Sequence, residues 1–374
     1  MDTQLTLGLG VIHAEKGEVR AFLPDFVLRL SRVYGRILLE EGYGATMGIT
    51  PESYSKPTNV SFAPAEEIYN CDFVLVLRYP PEKYLEMMPP GSCLVSMCHF
   101  PTRPSRREYL RSRDIEAISL DMIIDDNSRR LVENLRSVAW NGCEIAFQVL
   151  HKITPQPGLA SPYRSPINIT LLGSGGVGMH AVQAGIRYVN PQLWQTYAAQ
   201  NIPGNIVRVI DYDLSHHETE VKALLRDSQM LIDATLRKNQ SEIIIPNRFL
   251  GLMPENAVIL DLSVDPYDFH NRPYGVKGIE GIPQGNLDQY IFSPGDLAWD
   301  ALPDPIATNH RRWVVSCYSW PGIHPRSCML LYGNQIAPLL RRIATAGGKD
   351  GINAGGRYHD RAIARGMLKY WGEE

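Results

Sequence analysis

Three polar side chains that could bind or protonate a small molecule each come after an apolar, strand-like run. Arg20 comes after "LTLGLGVI" and a charged loop, Arg78 ends "CDFVLVLR", and His99 follows "GSCLVSMC". An arginine holds a carboxylate through paired hydrogen bonds, and a histidine exchanges a proton near neutral pH. Each residue alone is equally typical of a solvated loop or of a structural hydrogen bond. Their shared position after parallel strands predicts one edge of a substrate site.

A glycine turn in the middle of the chain predicts a dinucleotide-binding site. Residues 168–181 read "NITLLGSGGVGMHA", an apolar strand followed directly by G-x-G-x-x-G and a helix. The first glycine permits the tight turn, the second lets a pyrophosphate approach the backbone, and the third lets the helix pack closely on the strand. The amino end of the helix favours the negative charge. The predicted cofactor-binding residues of this turn are Gly173, Ser174, Gly175, Gly176, Val177 and Gly178.

An acidic residue after the next strand predicts which dinucleotide binds. "NIVRVIDYD" places Asp211 at the end of an apolar run, where a carboxylate would accept hydrogen bonds from a ribose hydroxyl. The same carboxylate would repel a 2′-phosphate, so the sequence favours NAD over NADP. Tyr212 and Asp213 remain alternatives for the decisive position.

The elements that must position these residues alternate between strands and helices in both halves of the chain. Strand-like runs stand at "LTLGLGVI", "CDFVLVLR", "GSCLVSM" and "IEAISL", and a second series begins with "INITLLG". Helical spacing of apolar residues predicts one helix over residues 25–44. A proline-rich stretch, "TPQPGLASPYRSP", separates the two series and predicts a linker. The fold class predicted from this pattern is α/β, with two Rossmann-like doubly wound domains and a cleft between them.

Composition limits the class of protein. A chain of 374 residues predicts two domains, and a net charge of −3 argues against nucleic-acid or anionic-membrane partners. No apolar run approaches the roughly 18 residues that a membrane span needs. The six cysteines are scattered, so no disulfide framework is predicted. The adjacent His216 and His217 lack further residues at ligand spacing, so no metal site is predicted. We expect a cytoplasmic enzyme.

Longer segments resemble a known superfamily. It contains alanine dehydrogenase and the NAD(P) transhydrogenase α-subunit, and also lysine-forming saccharopine dehydrogenase and carboxyethyl-ornithine synthase. The resembling segments are "HAEKGEVRAFLP", "GYGATMGITPESY", "VLRYPPEKYLEMMPPGSCLVSMCHFP", "VILDLSVD", "WPGIHPRSCMLLYGNQIAPLL" and "AIARGMLKYWG". They extend over nearly the whole chain, and each is degenerate. The sequence is therefore identified as a divergent member.

The resemblance implies a domain order and a set of active-site residues. It implies a discontinuous catalytic domain, residues 1–150 plus 320–374, and an NAD-binding domain at 151–319. It makes Arg20 substrate-binding and His99 and Asp265 catalytic. Arg78 takes the position of the catalytic lysine, as a catalytic and substrate-binding residue. Because arginine stays charged, it can hold a carboxylate there but cannot take the lysine's part in proton exchange.

Two further residues resemble the saccharopine branch. "LDMIIDDNSRR" and "SVDPYDFHNRPY" are similar to segments of that branch, and in the first Asp121 and Arg130, or Arg129 in its place, would bind a larger substrate. The same run is also typical of a plain polar turn. Met97 replaces a tyrosine common in alanine dehydrogenases, which argues against a pocket shaped for alanine.

The predicted function is that of an NAD-dependent oxidoreductase acting on a CH–NH bond of an amino acid. It would reductively aminate a 2-oxo acid through an imine. Small molecules are its only predicted partners, and whether the chain forms a homo-oligomer stays open. A saccharopine- or opine-type reductase, which joins an amino acid to a 2-oxo acid, is the first alternative function. A catalytically altered nucleotide-binding homologue, in which Arg78 ended turnover, is the second.

Overall fold

The structure of the protein is a computed structural model that describes residues 5–13, 15–155, 158–237, 239–269 and 274–372. The chain divides into two compact units. The first unit contains the chain up to Asn134 and again from His324, and the second unit is Leu135–Ile323. Part of "SVDPYDFHNRPY", residues 270–273, lies outside the described residues.

The first unit is built on a six-stranded sheet. Its strands are β1 (Thr6–Leu9), β2 (Arg36–Glu40), β3 (Val60–Ala63), β4 (Phe73–Arg78), β5 (Cys93–Met97) and β6 (Glu116–Ser119). All neighbours are parallel, in the order β3-β2-β1-β4-β5-β6. The order reverses between β1 and β4, which is the arrangement of a Rossmann-type sheet.

Short helices cover this sheet between its strands. They are α1 (Pro24–Leu30), α2 (Pro51–Tyr54), α3 (Ala65–Tyr69), α4 (Glu82–Leu85) and α5 (Pro104–Ser112). The predicted single helix over residues 25–44 is wrong, because α1 ends at Leu30 and residues 36–40 form β2. In "RILLE" four consecutive residues are buried between β1 and β3, so pairing within the sheet overrides the helical spacing of the apolar residues.

The second unit also contains a six-stranded sheet. Its strands are β7 (Ile167–Leu172), β8 (Asn205–Ile210), β9 (Met230–Asp233), β10 (Val258–Asp261), β11 (Ile291–Phe292) and β12 (Trp313–Ser316). The order is β11-β12-β10-β9-β7-β8, and only the edge strand β11 is antiparallel. Two parallel-dominated sheets confirm the predicted Rossmann-like α/β fold class.

Among its described residues, the second unit contains six α-helices. They are α6 (Leu135–Ile153), α7 (Gly176–Ile186), α8 (Pro191–Ala199), α9 (Tyr212–Ser215), α10 (Glu218–Arg226) and α11 (Asn247–Leu250). Ala139, Cys143 and Ala146 of α6 are buried with Ile169 and Leu260 of the second sheet. For this reason the two units divide before α6, at Leu135, and not in the proline-rich stretch behind it.

The chain returns to the first unit in two helices, α12 (Pro325–Thr345) and α13 (Tyr358–Gly366). Apolar residues of α12 such as Ile336 and Leu340 join the core of the first sheet. All six cysteines are buried and unbridged. Within the described residues, no helix combines the length and the apolar character that crossing a bilayer requires.

Candidate active site

His99 stands at the carboxyl end of β5 with its ring partly in solvent. Its φ is 54°, a left-handed conformation that is uncommon outside glycine and is frequent at functional positions. The backbone N–H of His99 donates to Asp121 Oδ1 over 3.2 Å, so one carboxylate holds the unusual backbone in place. The side chain remains 44% exposed.

Asp121 also holds the imidazole ring of His99. The distance from His99 Nδ1 to Asp121 Oδ2 is 3.2 Å, and Ser119 Oγ donates to Asp121 Oδ1 over 2.7 Å. Burial opposes ionisation of Asp121, but the contacts with His99 and Ser119 outweigh it and lower its pKa to about 2. Since the buried carboxylate engages Nδ1, Nε2 is the nitrogen left for a ligand. The structure therefore places Asp121, predicted to bind substrate, directly behind His99.

Arg20 lies in the loop after β1 and is enclosed by protein groups. Its guanidinium Nε and Nη2 donate to Glu18 Oε1 and Oε2 over 2.9 and 2.5 Å, and Nη1 lies 3.7 Å from Cys328 Sγ. The Arg20 side chain is only 3% exposed. Burial acts to raise the pKa of Glu18, but Arg20 outweighs it and lowers that pKa. This pair is a fixed bidentate ion pair.

Arg78, the last residue of β4, is the more accessible arginine. It donates through Nη2 to Glu15 Oε1, and its side chain is 28% exposed. Glu15 Oε2 is buried, and among the described residues it has no hydrogen-bond partner. Burial raises the pKa of Glu15, although Arg78 acts in the opposite direction. The sequence predicted both arginines but neither of the glutamates that hold them.

Arg130 and its alternative Arg129 lie on an exposed turn, away from the enclosed position of Asp121. Residue 130 forms an isolated bridge with Ile124, and the backbone N–H of Arg129 donates to Asp125 Oδ1. Of the two residues that the saccharopine resemblance paired, Asp121 is thus buried and Arg130 is exposed. The turn conformation matches the alternative of a plain polar turn.

The glycine turn of the second unit has the geometry of a phosphate site. Gly173 has a φ of +89°, and a Cβ on Gly178 would lie 2.1 Å from the Gly173 carbonyl oxygen. A Cβ on Gly175 would meet nothing within 4 Å, so open space lies beside this backbone. Helix α7 begins at Gly176 without a side-chain cap from the described residues, so its first N–H groups suit an anion. These positions fit a pyrophosphate.

Asp211 borders a cavity next to this turn. Its Oδ2 accepts a hydrogen bond from Ser174 Oγ over 2.5 Å, and that bond is the main reason for its lowered pKa. The cavity, of about 370 Å³, is lined by Gly173, Asp211, Tyr212 and Leu236 among others, and Asp213 is not in its wall. The exposed side chains of Tyr212 and Leu236 provide flat apolar surface suited to a planar base.

Asp265, predicted as catalytic, forms an ion pair in the second unit. Arg237 Nη2 donates to Asp265 Oδ2 over 2.8 Å, and Arg237 also donates to the Val276 carbonyl oxygen. The Arg237 side chain is 3% exposed and that of Asp265 34%. The carboxylate is therefore oriented by a buried cation and remains open to solvent.

A buried charge cluster at the ends of β9 and β10 was not predicted from the sequence. Lys277 Nζ donates to Asp261 Oδ2 over 2.6 Å, and Ser316 Oγ donates to the same oxygen. Burial and the charge of Asp261 raise the pKa of the neighbouring Asp233 to about 6. An acidic residue ends both "MLID" and "VILD", which is the one signal that pointed to this cluster.

Known proteins resemble this chain in sequence. Residues 13–140 match the family described as alanine dehydrogenase/PNT, N-terminal domain. The chain is 20% identical to an alanine dehydrogenase of Bilophila wadsworthia over 94% of this chain and 89% of the relative. It is 21% identical to an alanine dehydrogenase of Bacillus subtilis, over 66% of this chain and 67% of that protein.

Solved structures resemble it in fold. An L-alanine dehydrogenase superposes with a TM-score of 0.70 at 16% identity, covering 97% of this chain and 94% of the other. A transhydrogenase from Sinorhizobium meliloti gives 0.62 at 15% identity, covering 91% and 96%. The sequence matches support the alanine dehydrogenase/PNT superfamily, with this chain as a divergent relative, and the solved structures support the fold.

The residue at position 78 is the main departure of this chain from the pattern that the resemblance implies. Where the resemblance implies a lysine, the chain has an arginine together with its own carboxylate partner, Glu15. A guanidinium held by a glutamate keeps a fixed positive charge and does not release a proton near neutral pH. Of the site residues predicted at this edge, His99 is the accessible one suited to proton transfer.

Proposed function

We propose that this protein is an NAD-dependent oxidoreductase that interconverts an amino acid and a 2-oxo acid through an imine. In the reductive direction a 2-oxo acid, ammonia, a hydride and a proton yield the amino acid and water. The observation that carries the proposal is the His99–Asp121 pair, a half-exposed imidazole on a buried carboxylate at the carboxyl edge of the first sheet. The similarity to alanine dehydrogenases supports the reaction class.

The second unit would hold the nicotinamide cofactor, which supplies or accepts the hydride when bound. The helix α7 amino end and the open backbone at Gly175 fit its pyrophosphate, and Asp211 fits a ribose hydroxyl. The ionised carboxylate of Asp211 would disfavour a 2′-phosphate, which supports NAD rather than NADP. Asp265 remains the predicted carboxylate at the reacting end of this unit.

His99 is assigned the proton transfer in the first unit. Its Nε2 would donate a proton to the oxygen of the 2-oxo acid as that oxygen leaves as water. Asp121 would keep Nδ1 engaged and stabilise the imidazolium that forms in the reverse direction. Arg78 would bind the substrate carboxylate, since its guanidinium is reachable from solvent. Arg20, enclosed by Glu18, would add fixed positive charge behind it.

Ammonia is the amine we favour over a second amino acid. A saccharopine- or opine-type reaction drew its support from Asp121 and Arg130 acting together on a larger substrate. The buried Asp121 is instead bonded to His99, and Arg130 lies on an exposed turn. The site therefore offers less support for a second carboxylate.

The test is NADH oxidation by the full-length protein with a panel of 2-oxo acids, each paired with ammonium or with lysine. We expect turnover with ammonium for at least one 2-oxo acid and an inactive His99→Asn variant that still binds NADH. Turnover with lysine alone would identify the opine-type alternative. NADH binding without any turnover, followed by restored turnover in Arg78→Lys, would identify the catalytically altered homologue.

A further inference from the structure

The Glu15–Arg78 pair lies where the strand order of the first sheet reverses, between β1 and β4. Glu15 belongs to the loop after β1, and Arg78 is the last residue of β4. Ligands of open α/β sheets bind beyond the strand ends at such a reversal. Glu15 therefore places a protein carboxylate on Arg78 where the proposed function requires the carboxylate of the substrate.

The burial of Glu15 makes its release from Arg78 a matter of protonation. The Glu15 side chain is 12% exposed, and its Oε2 already lacks a hydrogen-bond partner among the described residues. Without the guanidinium, an ionised Glu15 carboxylate would be buried without the cation that is bonded to it among the described residues. The protonated form costs far less free energy in such surroundings.

The other charged groups near Glu15 do not remove this cost. Glu18 and Arg20 of the same loop act on Glu15, but Glu18 already accepts two hydrogen bonds from the Arg20 side chain. From α12, Cys328 and Tyr332 interact with Arg20, and Tyr332 also with Arg78. Burial itself raises the pKa of Glu15, in the direction that favours proton uptake.

We propose that Glu15 competes with the substrate carboxylate for Arg78 and takes up one proton when the substrate displaces it. This inference rests on the proposed function, because it requires an anionic substrate on Arg78. In the exchange, one ion pair replaces another and a solvent proton moves to a Glu15 carboxylate oxygen. Substrate binding is thereby coupled to pH through a residue that does not touch the reacting carbon.

The experiment is calorimetric titration of pyruvate and of 2-oxoglutarate into the full-length protein saturated with NAD⁺, without ammonium. Binding heats in two buffers of different ionisation enthalpy give the number of protons taken up. We expect an uptake of about one proton and a dissociation constant that rises by up to about tenfold per pH unit above neutrality. Binding without proton uptake would overturn the inference and leave the proposed function intact.

A matched pair of variants assigns the proton. In Glu15→Gln we expect no proton uptake, tighter binding at pH 8 and little change of affinity with pH. Glu41→Gln alters an exposed glutamate after β2 and should keep the wild-type uptake. Equal uptake in Glu15→Gln and the wild type would overturn the inference. If Glu15→Gln does not fold, the wild-type uptake still decides, and failure of both oxo acids to bind overturns the proposed function as well.

Discussion

Charge clusters lie at the strand ends of both sheets, and they differ in their exposure to solvent. The cluster of the second unit is closed to solvent, and that of the first unit is open. In the second unit, Lys277 and Asp261 are each 1% exposed and bond to one another. In the first unit, Arg78 is 28% and His99 44% exposed, although each is held by a buried or half-buried carboxylate. A cluster with all its partners inside the fold has no exposed member that a ligand could reach. A cluster with one exposed member can exchange that partner for a ligand.

Burial acts to raise the pKa of acids in both clusters, and the neighbouring groups decide the direction of the net shift. Asp121, next to His99, has its pKa lowered to about 2, whereas Asp233, next to Asp261, has its pKa raised to about 6. The first carboxylate is ionised throughout the physiological range and can hold a histidine. The second changes its protonation near neutrality inside a closed cluster.

The largest expected effect is on folding, from breaking the closed cluster. Lys277→Met leaves Asp261 buried without its cation, and we expect a loss of roughly 3–5 kcal/mol in the free energy of unfolding. Urea denaturation followed by fluorescence measures it. The double variant Lys277→Met/Asp261→Asn should recover part of the loss. A Lys277→Met variant as stable as the wild type would contradict the burial of the Lys277–Asp261 ion pair.

The second expected effect is a loss of catalytic rate at the open cluster of the first unit. Asp121→Asn removes the carboxylate that fixes the His99 ring, and kcat should fall on the order of 10²-fold while NADH still binds. The exposed Asp114→Asn, in a left-handed turn that asparagine also tolerates, is the control. Unchanged kcat in Asp121→Asn would remove the positioning role.

A smaller effect concerns the pH dependence of stability. Because the folded-state pKa of Asp233 is about 6 and an unfolded aspartate has about 3.9, Asp233 stabilises the fold below about pH 4. That contribution is lost as the pH rises through 6. Relative to the wild type, Asp233→Asn should therefore gain stability between pH 4.5 and 7.5. Parallel stability curves for the two proteins would contradict the raised pKa.

The smallest effect is expected at a pair outside both clusters. Asp25 and Arg29 of α1 form an exposed i,i+4 pair with Nε and Oδ2 3.2 Å apart. Asp25→Asn should change the free energy of unfolding by no more than roughly 0.5 kcal/mol, since solvent screens such pairs. Urea denaturation of Asp25→Asn and Lys277→Met side by side compares the two losses in the free energy of unfolding. A loss as large as that of Lys277→Met would erase the contrast between exposed and closed pairs.

The sequence predicted the positions at strand ends better than the contacts between them. His99, Arg78 and the glycine turn follow apolar strands, and strand order alone brings such ends to one edge. Glu15 and Glu18 stand in a loop whose path depends on tertiary contacts, so no spacing rule assigned them to the arginines.

The sequence failed to predict two features because both depend on contacts with a neighbouring strand. Residues 36–40 have helical spacing of apolar residues but become a buried strand between β1 and β3. Lys277 stands in no periodic segment, and its burial follows from the position of β10 beside it. In both cases the decisive interactions are distant in the sequence, where local patterns carry no information.

The most direct measurement is a crystal structure of the protein with NAD⁺ and a 2-oxo acid that turns over with ammonium. The account predicts the substrate carboxylate within about 2.7–3.2 Å of the Arg78 guanidinium, its carbonyl oxygen within reach of His99 Nε2, and Glu15 withdrawn from Arg78. An oxo acid bound elsewhere, with the Glu15–Arg78 pair intact and His99 without contact to it, would contradict the account.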